Sequence, residues 1–474
     1  MNRFSRSLVQ SWTSMGSRFL PFADAATPDL PLTRLLRLSL FQISVGMALV
    51  LLIGTLNRVM IVELKVPASI VSIMVALPIV FAPLRALIGF KSDIHRSELG
   101  WRRVPFLWMG TMLQFGGFAV MPFALLVLAG AGQAANAPIW VGHLGAAIAF
   151  LLVGAGLHTV QTVGLALATD LVPQESQPKV VGLMYVTLLV GMVVSALSFG
   201  VLLEDYSPGR LIQVIQGAAV LTIILNVTAM WKQEARDRNR KRSATPDPSF
   251  MDSWRTFSQG PAALRRLAVV GLGTMAFTME DVLLEPYGGE VLGLSVSATT
   301  LLTATLAVGS LIGFWFASRV LGRGADPYRM AGAGALVGIP AFLAVIAAAP
   351  AQSALIFTAG TFLIGLGAGL FGHGTLTATM QSAPKEQVGL ALGAWGAVQA
   401  TAAGLAMAIG GVVRDLVVAM GYSNPIFGRE FAGAATGYVV VYIIELALLM
   451  ATLLCMAPLV KKRNTRESTQ QSAL

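Results

Sequence analysis

The chain has 474 residues, 55% of them hydrophobic and only 12% charged, with a net charge of +10. A soluble protein carries about twice that charged fraction; this composition, with repeated apolar runs of roughly 20 residues, indicates a polytopic membrane protein and excludes a soluble multidomain enzyme. The basic residues are spread as membrane topology requires, so nucleic acid is not an expected partner, and the single cysteine, Cys455, cannot form an internal disulfide.

Residues 1–33 lack the continuous apolar core of a signal peptide. Phe4, Leu8, Trp12, Met15 and Phe19 fall on one helical face, with Arg3, Arg6 and Arg18 beside or opposite it. That is the pattern of a short amphipathic helix lying on the inner membrane surface; a tail without regular structure is the alternative.

Twelve apolar windows follow. The first six are at 36–61, 68–90, 104–130, 138–168, 180–203 and 209–231; the last six are at 264–287, 295–320, 329–350, 354–380, 388–418 and 434–458. Between them the polar, charged stretch "RDRNRKRSATPDPS" offers nothing to bury and reads as a solvated tether. Lys and Arg number 27 on one side of the resulting topology and 4 on the other. The positive-inside rule then places both termini in the cytoplasm, with Trp140 and Trp231 at span ends as interfacial anchors. The expected segments are an N-terminal segment (1–33), a six-helix bundle (34–231), a cytoplasmic linker (232–263), a second six-helix bundle (264–458) and a tail (459–474).

The halves look related. "GAGL…PQESQPKVVGL" runs from Gly154 to Leu183, and "GAGL…PKEQVGL" runs from Gly367 to Leu390, at corresponding places in the two halves. An all-α fold of twelve transmembrane helices in two pseudo-symmetric bundles resembles the major facilitator superfamily. The string "GFKSDIHRSELGWRRVPF" agrees: Gly89, Asp93, Gly100, Arg102 and Arg103 resemble that superfamily's motif between helices 2 and 3, where glycine permits close approach and the charges form a latch. The plainer reading is that these basic residues only fix topology. "GFWFASRVLGRGADPYR" is a weaker second copy, with its acid displaced to Asp326.

"GAGLFG", Gly367 to Gly372, satisfies the dinucleotide pattern GxGxxG, but it lies inside an apolar span and lacks the flanking strand. Small-residue helix packing explains it better. No P-loop, HExxH or nucleophile-elbow pattern occurs, so neither an enzymatic activity nor a metal site is expected.

Polar residues at membrane depth carry the functional information, because each costs at least about 2.5–3.5 kcal/mol on insertion scales. Arg58 lies in the outer part of the first span and Arg85 toward the inner end of the second. The seventh span carries Glu280, Asp281 and Glu285, with Glu290 following. Helical spacing puts Asp281 and Glu285 on one face, and Pro286 predicts a break or kink at Glu285. Three uses compete for this cluster: pairing with an arginine of a neighbouring helix, Arg58 being the natural partner; proton coupling; or lining a wet outer cavity. His158 and His373 are the mid-span histidines, able to ligate the magnesium of a chlorophyll or simply to pack; His95 and His143 call only for solvation.

Longer strings carry a family resemblance: "RFLPFADA", "LPLTRLLRLSLFQISVGMALVLLIGTLNRVMIVEL", "FAPLRALIGFKSDIHRSELGWRRVP" and "MEDVLLEPYGGEVLGLSVSATT". Over about residues 18–458 the chain resembles the bacteriochlorophyll delivery family, the PucC/LhaA branch of the major facilitator superfamily. The resemblance implies a non-enzymatic factor of the bacterial inner (intracytoplasmic) membrane that delivers or shepherds bacteriochlorophyll and antenna polypeptides. Its implied partners are membrane lipid, light-harvesting alpha and beta polypeptides, the reaction centre and pigment-biosynthesis enzymes. "VELKVPASIVSIMVALP" and the long basic linker are closer to LhaA and favour the LH1/reaction-centre core; a PucC-like role with LH2 is the near alternative. The rivals are a proton-coupled carrier of a small solute and a scaffold that binds antenna helices without touching pigment.

Overall fold

A computed structural model of the chain describes residues 30–78, 88, 92, 95, 100–173, 176–235, 262–382, 388–420 and 434–460. The N-terminal amphipathic pattern, most of the linker, and Arg85, Gly89 and Asp93 lie outside the described residues.

The described chain is helical. The spans are α1 (Leu32–Glu63), α2 (Ala68–Ala76), α3 (Val104–Leu128), α4 (Ile139–Asp170), α5 (Gln177–Leu202) and α6 (Pro208–Met230). They continue as α7 (Ala263–Glu290, interrupted), α8 (Val296–Leu321), α9 (Pro327–Ala351), α10 (Ala354–Ser382), α11 (Val388–Ala419) and α12 (Ala434–Met456). Eleven helices among the described residues are long and apolar enough to cross a membrane, which makes the chain a multi-pass membrane protein. The second expected span is described only as the nine-residue α2, so the expected count of twelve rests partly on residues outside the description.

Local chemistry sets the ends. Ser207 and Ser295 cap α6 and α8 by accepting from the backbone N–H of Arg210 and Ala298. Asp326, the displaced acid of the second loop motif, caps α9 by accepting from Tyr328 and Arg329. Beyond its midpoint, α1 widens into π-helical turns over Val50–Leu56 and Val59–Glu63, a form concentrated at functional sites.

The helices pair in the same way in both halves. The α3–α4, α3–α6, α1–α5 and α1–α6 contacts of the first half recur as α9–α10, α9–α12, α7–α11 and α7–α12. Between the halves, α5 packs on α8 and α2 on α11, pairs that a two-fold exchange of the halves interchanges. The GAGL strings that suggested a repeat face different neighbours, however: Gly156 lies against Gly110 and Gln114 of α3, whereas Gly369 lies against Ser310 and Phe314 of α8. Taken whole, both strings lie against the equivalent pair of helices with the two contacts exchanged, Gly154 meeting Pro78 just past α2 in the first half and Gly367 meeting Gly334 of α9 in the second.

A neutral polar network occupies the α1–α3–α6 junction. Ser44 donates to Asn226 Oδ1 at 2.6 Å, and Asn226 Nδ2 donates to Thr111 Oγ1 at 3.1 Å and Gln114 Oε1 at 3.2 Å. All four side chains are buried.

Candidate functional site

The acidic segment of α7 is not one helix. The chain is α-helical over Ala263–Ala276, makes a 3₁₀ turn at Glu280–Val282, and resumes as a helix over Leu284–Glu290. The expected break at Glu285 therefore falls one turn earlier. Pro286 accounts for the later part of the break, because it has no N–H to return to the carbonyl four residues back, that of Val282. It disrupts the turn before itself and then sits in the first turn of the next segment, where no donor is required. The Val282 carbonyl is satisfied from the other half of the molecule: Asn57 Nδ2 of α1 donates to it at 3.1 Å.

This break redistributes the acids. Glu280 is completely buried and meets, carboxyl to carboxyl, a completely buried glutamate of α12, Glu445. No other side chain donates to their four oxygens among the described residues, so the two carboxyls bond to each other, through a proton held by one of them. Asp281 is half-buried beside Glu280. Glu285, also buried, accepts from Thr303 of α8 and lies against Gly54 of α1, where a Cβ would overlap its carboxylate. The expected common face for Asp281 and Glu285 does not form, because four-residue spacing aligns side chains only along a continuous helix.

Glu290, at the end of α7, accepts from Arg414 at 2.5 Å and from the Tyr438 hydroxyl at 2.9 Å. Arg414 also pairs with Asp415 at 2.9 Å and stacks over the Tyr438 ring. Around these groups Tyr287, Tyr438 and Tyr442 form a buried aromatic knot with ring centroids 5.4 and 5.5 Å from Tyr287. Tyr287 donates to the Val345 carbonyl at 3.1 Å, and the Tyr442 hydroxyl is buried without a partner.

Arg58 reaches α7, where it lies against Gly289 and its charge acts on Glu285, but its ion pair is with another acid. Its guanidinium, 4% exposed, pairs with Glu63 one turn along its own helix and donates to the Leu294 carbonyl at 3.1 Å. It thus closes the end of α7 through the backbone.

The histidines stand apart from this region. His373 is half-buried in α10 with its ring 4.2 Å from that of Phe314, and its Nδ1 has no partner. His158 is half-buried in α4, in the other half.

At the opposite end of the molecule the described part of the loop motif is a closed cluster. Gly100 takes φ +78°, a left-handed conformation that favours glycine. Arg102 and Arg103 pair with Asp170 at the end of α4, and Arg103 donates to Ser92 at 2.5 Å. Glu234, just past α6, accepts from the backbone N–H groups of Arg102, Arg103 and Val104 at 2.7, 3.0 and 2.9 Å, capping α3.

Sequence reasoning missed Glu445, Asn57, Arg414 and Asp415 as parts of the site. Glu445 carried the signal: it is the sole acid in the 434–458 window, and the membrane-depth cost that singled out Glu280 applies to it equally. Among the described residues no group of three or more His, Cys, Asp or Glu side chains is arranged to hold a metal ion.

Comparison with known proteins places this geometry. A family model described as "PUCC protein" matches residues 55–464. The chain is 66% identical over 420 residues to Protein PucC of Rhodovulum sulfidophilum, covering 88% of this chain and 92% of that protein. It is 57% identical over 463 residues to Protein PucC of Cereibacter sphaeroides, covering 97% and 98%. Identity falls to 50% over 452 residues, 94% of this chain and 93% of the other, with an uncharacterized protein from the puhA-bchM intergenic region of Rhodobacter capsulatus. Among solved structures, a bacterial homologue of the lysosomal transporter Spinster, inward-facing and unoccupied, superposes with a TM-score of 0.65 at 15% identity over 90% of this chain and 95% of that one. At that identity the likeness shows the fold alone.

Proposed function

The chain belongs to the PUCC family, and from that premise we propose that it serves the assembly of light-harvesting complexes in a phototrophic bacterium. The observation that carries the reading is the 66% and 57% identity with PucC proteins over nearly full length. Those values, against 50% for the puhA-bchM relative, favour the peripheral LH2 complex over the LH1 core role that the linker and the α1–α2 string had suggested.

In this reading the protein spans the inner (intracytoplasmic) membrane twelve times with both termini in the cytoplasm, two bundles (34–231 and 264–458) flanking the working region. It catalyses no reaction; it hands bacteriochlorophyll to light-harvesting alpha and beta polypeptides or guides those polypeptides into place. A bound pigment would need one axial nitrogen ligand for its magnesium, and His373 fits that need. It is half-buried within an apolar span, its buried Nδ1 is without a partner, and Phe314 covers one side of the ring.

Deleting the gene in its host and recording the near-infrared absorption spectrum tests the assembly reading. The LH2 bands should be lost and the core band kept. Loss of the core band alone would transfer the role to LH1, and an unchanged spectrum would end the proposal. Protein purified from pigment-producing cells should carry bacteriochlorophyll in absorption, and His373→Ala should carry less.

A further inference from the structure

Five hydrogen bonds join the two halves through groups described above or beside them, and all five lie at the end of the bundle away from Arg102, Asp170 and Glu234. Thr55 and Thr300 meet at 3.3 Å, Asn57 donates to the Val282 carbonyl at 3.1 Å, and Arg58 donates to the Leu294 carbonyl at 3.1 Å. Ser297 donates to the Gly200 carbonyl at 2.7 Å, and the Ser69 N–H donates to Asp415 at 2.6 Å.

The last of these differs in kind. α2 begins behind Pro67, which offers no side-chain cap. The carboxylate that takes an N–H of its first turn comes from α11, in the other half of the molecule. Asp415 is held for that task by Arg414, which is itself anchored on Glu290 and Tyr438. One helical turn inward, Gly411 lets α11 approach Ser72 so closely that any Cβ would overlap the serine hydroxyl.

The same seam leaves polar atoms unsatisfied. Asn57 Oδ1, Arg58 Nε, Ser72 Oγ and Glu285 Oε2 are all buried with no partner. A permanently fused interface has no reason to retain groups that pay a desolvation cost without a bond. Separating the halves here would hydrate all four. Closure is thus a balance between a few single hydrogen bonds with apolar packing on one side and four stranded polar atoms on the other.

We propose that this seam is a releasable latch and that Asp415, capping α2 from the opposite half, is its catch. Losing the cap lets the halves part at this end while each half stays folded. Arg414 and Glu290 act as positioning residues, holding the Asp415 carboxylate over the start of α2.

The test uses the full-length purified protein with Cys455→Ala as background and Ser72→Cys as a buried reporter on the seam. In Asp415→Ala the rate of maleimide labelling at position 72 should rise about tenfold, the shift that loss of one helix cap gives in a two-state equilibrium. Asp415→Asn keeps an acceptor oxygen for the Ser69 N–H and should label near the parent rate. A reporter inside the first half, Thr159→Cys, should stay slow in every variant. Oxidising an added Thr55→Cys/Thr300→Cys pair in the Asp415→Ala protein should return the seam reporter to slow labelling. An unchanged rate in Asp415→Ala overturns the proposal. So does fast labelling that persists after the disulfide has formed, or that appears equally at position 159. The measurement needs neither pigment nor antenna polypeptides, so its result is independent of the assembly role.

Discussion

The α1–α3–α6 junction of the first half and the α7–α9–α12 junction of the second are related by the two-fold pairing of helices, yet they are filled with opposite chemistry. In the first, Asn226 of α6 is bonded to Ser44, Thr111 and Gln114. In the second, Glu445 of α12 faces Glu280 of α7, while α9 contributes Phe342 and the Val345 carbonyl to the surrounding aromatic knot. The first junction is neutral and leaves only the Gln114 Nε2 amide of its four side chains without a partner; the second buries two carboxyls that face one another. A neutral network built round a fully bonded amide, as that of Asn226 is, rigidifies a bundle. A pair of acids buried at membrane depth costs stability instead, which is the reason to look in the second half for a task beyond folding.

The largest effect should come from making the first junction resemble the second. Asn226→Glu places an acid at membrane depth, with a cost of at least about 2.5–3.5 kcal/mol on insertion scales, and should abolish the monodisperse peak in fluorescence-detected size exclusion. Asn226→Ala strands the Gln114 amide oxygen, the Ser44 hydroxyl keeping the Phe41 carbonyl as acceptor; a loss of about 1–3 kcal/mol should appear as a lower melting temperature in detergent. The converse change at the second junction should be mild. Glu445→Gln keeps a donor facing Glu280 in place of the shared proton, so the melting temperature should hold to within about 1 kcal/mol while the proposed role in LH2 assembly, read from the near-infrared bands of cells, declines. If Glu445→Gln melts as early as Asn226→Ala, the acids are structural and the contrast between the halves collapses. Smallest of all should be Arg102→Ala, whose ion pair with Asp170 is partly exposed at 18% and 33%. It should cost less than about 1 kcal/mol, and a larger loss would make the basic end, rather than the junctions, the place where the halves differ most.

Much of this architecture was legible in the sequence because hydropathy and helix length report directly on the bilayer. The α8 window, 295–320, differs from Val296–Leu321 by a residue at each end. The acids of α7 were legible for the same reason, since Glu280 and Glu285 stand out against an apolar background. Their partners were not. Helical spacing linked Asp281 to Glu285, but Pro286 breaks the turn between them, and the contacts that replace it come from Gly54 and Thr303 in other helices. Glu280 finds Glu445 across 165 positions of chain, a distance no local pattern spans. Arg58 appeared to need an acid of α7, but Glu63, five residues on, was nearer. Asp415 looked like an ordinary polar residue at a span end until α2 was seen to start against it.

Glu234 adds a matter of timing. It caps the start of α3 from 130 residues further along the chain. During synthesis at about 5–20 residues per second, α3 therefore waits roughly 7–26 s for the residue that finishes its first turn. Until then the three N–H groups at its start need a temporary partner, from water, a lipid headgroup or the insertion machinery. The first bundle is complete only once α6 and Glu234 have left the ribosome, so a pause in translation after that point would let it close before α7 is inserted.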